Sequence, residues 1–123
     1  MADEIRSWQL YLAPGQRHGG SMTGYELDKH IKSEGLMDDT FSLNDPLVQG
    51  WIADPKTYPE EFKDKIIYLW KSQNSYRGSY GVMCLMWGGG ERVGECWARL
   101  DNRRDGNDYI LLASNSALRT SVT

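Results

Sequence analysis

A chain of 123 residues has the length of one ordinary domain and can bury one sizeable core. An apolar share of 40% beside a charged share of 25% excludes the disordered and fibrous classes. The net charge of −3, with a pI near 5.3, repels phosphate polyanions and so weighs against general nucleic-acid binding and anionic membrane surfaces.

No apolar run approaches the roughly 18 to 20 residues that a membrane span needs. The opening Met1-Ala2-Asp3-Glu4 carries acids where a secretory signal carries bases. Two cysteines, Cys84 and Cys96, read as reduced packing thiols, and together these features predict a cytoplasmic protein. Five Trp and seven Tyr stand against two Phe, so the large rings mostly carry a polar edge. Such rings suit half-buried faces, binding surfaces and subunit interfaces as well as a core.

In chain order, Trp8, Leu10 and Leu12 alternate with Ser7, Gln9 and Tyr11, which predicts a strand over residues 5–12 with one buried face. Pro14-Gly15 ends it, and residues 15–21 form a glycine-rich polar loop carrying Arg17 and His18. Thr23-Gly-Tyr-Glu26 has capping-box spacing, with Met22 and Leu27 placed as a hydrophobic staple. The helix over residues 24–34 then closes at Gly35, with Leu36 folding back on Ile31 and Asp28 pairing with Lys32 on the outer face.

A second helix follows Asp45-Pro46, an N-cap and first-turn pair, and presents Leu47, Val48, Trp51 and Ile52 to the sheet. Residues 58–63 have proline and acids early and Lys63 late, which predicts a short third helix. The period then changes. Residues 65–71 and 80–87 are short apolar runs of central-strand type, joined by a polar loop over residues 71–80. Gly88-Gly89-Gly90 turns the second run into a more exposed strand over residues 91–100, and residues 109–113 close the sheet after a polar turn. The tail from Ser114 reads as frayed.

The expected fold is therefore a single α+β domain over residues 1–123. An N-terminal strand and two to three short helices cover one side of a curved antiparallel meander, either open or barrel-like.

Chemistry is sparse. A turn centred between Gly89 and Gly90 would put Cys84 and Cys96 on opposite faces, which weighs against a disulfide. With only His18 and His30 beside these thiols there is no metal-ligand spacing, and neither metal nor cofactor is expected. No catalytic residue is assigned; His18 is the one candidate, as an acid, base or anion contact lacking a companion group in sequence. His30 reads as a boundary histidine. Glu91 and Glu95 share a strand face without being adjacent.

The richest constellation joins the 71–80 loop to Arg103, Arg104 and the strand aromatics Tyr68, Trp70, Trp87 and Trp97. From it come the candidate contact residues Tyr76, Arg77, Trp97, Arg99, Arg103 and Arg104. They predict a noncatalytic binding or interaction module that meets a protein partner, a second copy or a small ligand through an aromatic and polar sheet face. The alternatives are a small enzyme with a His18 and carboxylate site, and a single-strand nucleic-acid binder; overall acidity disfavours the latter.

The runs Tyr58-Pro-Glu-Glu-Phe62, Ile66-Ile-Tyr-Leu-Trp70 and Cys84-Leu-Met-Trp87 before a glycine turn resemble a pattern in small uncharacterised bacterial proteins of mobile elements, of the integron gene-cassette type. The resemblance covers about the second half of the chain. It implies an origin in mobile DNA and carries over no activity or site residue.

Overall fold

The computed structural model describes residues 8–113, so the frayed tail expected from Ser114 and the start of the first strand at residues 5–7 lie outside the described residues. The strands are β1 (Trp8–Tyr11), β2 (Met22–Thr23), β3 (Ile66–Tyr76), β4 (Ser79–Gly88), β5 (Arg92–Arg99), β6 (Arg103–Arg104) and β7 (Asp108–Ala113). The helices are α1 (Gly24–Ser33) and α2 (Pro46–Ala53), and the fold is α+β as expected. Residues 58–63 form only a 3₁₀ turn, Glu60–Phe62, not an α-helix.

Local chemistry fixes α1 at both ends. Thr23 Oγ1 accepts the Glu26 amide at 3.1 Å and Glu26 Oε1 accepts the Thr23 amide at 2.8 Å. At the other end Gly35 adopts φ 71°, its amide donates to Lys32 O and the Leu36 amide donates to Ile31 O, the two bonds of a Schellman cap. Asp45 Oδ1 accepts the Leu47 amide and starts α2 ahead of Pro46.

The main sheet is open, in the order β1-β7-β3-β4-β5, and β2 with β6 makes a separate two-stranded ribbon. Only β3, β4 and β5 form the expected meander. The last strand does not follow β5 at the edge. It crosses back and inserts between β1 and β3, parallel to β3. The reason is burial: Ile110, Leu111, Leu112 and Ala113 are apolar on both faces, and only a central position covers both.

The same logic corrects the expected one-sided cover. Tyr68, Trp70, Ile110 and Leu112 pack with Leu27 and Ile31 of α1. Ile67, Leu69, Leu85 and Leu111 pack with Val48 and Trp51 of α2, and with Phe41, Tyr58 and Phe62. The helices therefore lie on opposite sides of the sheet, and there are two apolar clusters where one was expected. Even β1 is shared, with Trp8 and Leu10 on the α2 side and Tyr11 on the α1 side.

Two details of register matter for function. In β3 the pairing jumps from Leu69 opposite Met83 to Gln73 opposite Val82, so Trp70, Lys71 and Ser72 bulge from the ladder. The Lys71 amide donates instead to Phe41 O, and Ser72 Oγ accepts the Leu43 amide. Beyond this bulge residues 73–76 resume the strand, so the expected loop over residues 71–80 is a hairpin turning at Arg77 and Gly78.

The second detail is the β4–β5 turn, which comprises Gly89, Gly90 and Glu91 and closes on the pair Gly88 and Arg92. Its centre is Gly90. That places Cys84 directly opposite Cys96, 4.9 Å apart at Cα, and the two are joined by a disulfide. The expectation of unpaired thiols on opposite faces was wrong because one residue of register moves a side chain to the other face.

Candidate functional site

In β3 the apolar cluster on the α2 side ends at Leu69, where the bulge begins. On that face of the sheet Ile67, Leu69, Leu85 and Val93 are buried. Further along the same face, register sets Met83 beside Trp97 and Asn74 beside Gly81. Asn74, Met83 and Trp97, with Ser75 and Tyr76, line a groove of about 490 Å³. Tyr76 is 58% exposed.

The groove is held by its own polar contacts. Trp97 Nε1 donates to Asn74 Oδ1 at 2.8 Å, and the Tyr76 ring meets the indole edge-on at 5.8 Å. Arg77 sits in the turn with φ 51°, donates from Nε to the Tyr76 hydroxyl at 3.1 Å and lays its guanidinium 5.4 Å from the ring centroid. Gly81 makes room for Trp97: a β-carbon there would run into the indole. The result is a shallow aromatic surface with an amide, a hydroxyl and a fixed cation at its rim.

Of the six expected contact residues, the structure gathers Tyr76, Arg77 and Trp97. Arg99 is next along the face beside Gly81 and forms a two-point ion pair with Asp101. Arg103 lies in the separate ribbon and donates to the Ser21 hydroxyl and carbonyl. Arg104 is buried, donates to the carbonyls of Asn102 and Arg99, and stands 4.8 Å from the Tyr68 ring centroid, so it is no surface contact. Tyr68 and Trp70 are core, and Trp87 stacks on Tyr58. Sequence reasoning missed Met83, because its place beside Trp97 follows only from the correct turn centre, and left Asn74 and Ser75 in a loop.

His18 lies elsewhere. It lines a cleft of about 610 Å³ between the loop of Gln16 to Gly20 and the turn of Asp105 to Asn107. A carboxylate, Asp105, thus joins the imidazole in one cleft, while the lining holds no Ser, Thr or Cys to act as nucleophile. Beneath it, burial pushes the Asp108 carboxyl above its ordinary value, helped by the charge of Asp105 and opposed by hydrogen bonds from the Asp105 amide and the Tyr68 hydroxyl. Burial likewise raises the Tyr68 hydroxyl. His30 is half-buried and bonded to the Tyr11 hydroxyl at 2.6 Å.

Among the described residues no group of three or more His, Cys, Asp or Glu could hold a metal ion, and no helix is long and apolar enough to cross a membrane. Comparisons with protein-family models, curated proteins and solved structures gave no match.

Proposed function

We propose that this chain is a noncatalytic binding module whose working surface is the open aromatic end of the sheet. The observation that carries the reading is that the α2 face, where Leu69 and Leu85 are buried in a cluster with Val48 and Trp51, runs on into a groove lined by half-buried Met83 and Trp97 and by Tyr76, which is exposed. Exposed aromatic surface rimmed by polar groups is what a partner or ligand covers. Tyr76 and Trp97 offer a face and an edge to a flat apolar group, Met83 adapts to its shape, and Asn74 and Arg77 supply polar contacts that orient it.

Titration of the protein with indole and with p-cresol, followed by backbone amide shifts, tests this reading. Saturable shifts should map to residues 74–77, 83 and 97, and Tyr76→Ala and Trp97→Ala should each abolish them while the remaining spectrum stays folded. Light scattering across a concentration series covers the case of a second copy as occupant. A strict monomer that answers neither ring compound refutes the proposal.

An origin in mobile DNA belongs to the same proposal and rests on the apolar runs at Tyr58–Phe62, Ile66–Trp70 and Cys84–Trp87 alone. So does a cytoplasmic location, which loses one support: bonded cysteines persist mainly in oxidising compartments.

A further inference from the structure

The cleft beside His18 has no part in the aromatic surface, and its construction points to a ligand of a different kind. Its two walls are tied together by one buried side chain. Gln16, fully buried, accepts the Ala13 amide at Oε1 (3.0 Å) and donates from Nε2 to the carbonyls of Asp105 (3.1 Å) and Asp108 (2.7 Å). The loop and the turn are thereby fixed relative to each other across 89 positions of sequence.

One wall is cationic. Arg17 donates through Nε and Nη2 to the Leu12 carbonyl at 3.1 and 2.9 Å, which fixes the guanidinium beside the cleft. His18 follows it with φ 56°, a left-handed backbone that residues other than glycine rarely adopt and that functional sites often retain. The other wall is anionic. Asp105 Oδ1 accepts the Asn107 amide at 2.9 Å, which sets the carboxylate's orientation.

Among the described residues neither Arg17 nor Asp105 has an oppositely charged side chain within ion-pair distance, and the two do not pair with each other although both line one cleft. Fixed opposite charges separated by an open gap are complementary to a molecule with the reverse arrangement.

We propose that this cleft binds a small zwitterion, with its carboxylate at Arg17 and His18 and its ammonium at Asp105 and the Asn107 side chain. A free amino acid or a short peptide with both termini close together has this chemistry. A bidentate guanidinium contact would read the carboxylate, and the spacing between the walls would select against molecules carrying only one charge.

Backbone amide shifts provide the test, with glycylglycine and L-glutamine as probes and acetate and methylammonium as single-charge controls at matched ionic strength. The expected result is saturable shifts at residues 16–20 and 105–108 with a zwitterion and none with either control. Arg17→Ala and Asp105→Asn should each weaken the response by about ten-fold or more, the scale of losing one charged contact. Because Asp105 also shapes its turn, His18→Ala serves as a second variant that leaves the turn intact, and it should weaken the zwitterion response as well. Equal shifts with acetate alone, unchanged responses in all three variants, or no saturable shift with either probe up to about 10 mM, well above the millimolar range of weak ligands, would each overturn the proposal.

Discussion

Two glycines in helices show how a single position departs from its intrinsic preference. Gly24 opens α1, where alanine would ordinarily be favoured by up to about 1 kcal/mol. A β-carbon there would lie 2.6 Å from the Leu100 carbonyl oxygen and 2.7 Å from its Cα, both main-chain atoms that cannot swing aside. Gly24→Ala should therefore lose about 1 to 3 kcal/mol, whereas Gly50→Ala in α2, where a β-carbon meets nothing within 4 Å, should gain up to about 1 kcal/mol. Urea titrations of the two variants check both signs.

Asp28 is a further position whose role exceeds its local spacing. It pairs with Lys32 as its spacing predicts, but it also accepts the Trp70 indole at 2.8 Å and the Gln73 amide at 3.2 Å, so it links α1 to the bulge of β3. Burial works against its charged form, yet the hydrogen bonds from Lys32, Trp70 and Gln73 together outweigh it and hold the carboxyl below the ordinary range. A carboxylate lowered by folding adds stability above its unfolded pKa, about 4, and that stability disappears as pH falls through the lower folded value. Asp28→Asn should accordingly flatten the acid limb of a stability–pH profile below about pH 4. Trp70→Phe, which removes one of the donors, should raise the Asp28 pKa in a carboxyl-carbon titration.

Among the elements, α1 was the most legible because its signals are all local: the capping box, the staple and the Schellman glycine lie within residues 22–36. Thr23→Ala should cost about 1 kcal/mol in thermal or urea unfolding, since it strands the Glu26 amide. The strands were legible as segments but not in their pairing. The β4–β5 turn follows on a run of three glycines, Gly88 to Gly90, any of which tolerates the necessary backbone, so the sequence left its centre open by half a residue. That half residue decides whether Cys84 faces Cys96 and whether Met83 faces Trp97. Because the bridge closes a separation of 12 residues, reduction should lower stability by about 3 kcal/mol. Denatured protein should take up no alkylating reagent at either cysteine until a reductant is added, which mass spectrometry can read.

At the scale of the whole molecule the sheet is a partition between two apolar clusters. On the α2 side Phe62 is fully buried and meets Trp8, Trp51 and Tyr58 edge-on at 4.8, 5.3 and 5.4 Å. Phe62→Ala should cost about 3 to 5 kcal/mol, a large share of a total near 5 to 15 kcal/mol, and should weaken the near-ultraviolet circular dichroism of the Trp cluster. The candidate surfaces also belong to this scale. The aromatic groove lies along the α2 face beyond the cluster that ends at Leu69, and the charged cleft lies between two loops that Gln16 ties together across 89 residues.

The sequence by itself determined the caps of α1 and α2, the apolar strand segments and the α+β class, because capping and alternation act over a few residues. Only the tertiary structure decided that β7 lies inside the sheet, that the helices take opposite sides, that Arg104 is buried and that Asp105 shares a cleft with His18. Those outcomes depend on which distant surfaces exclude water from each other, and a strand apolar on both faces says that it must be covered without saying by what.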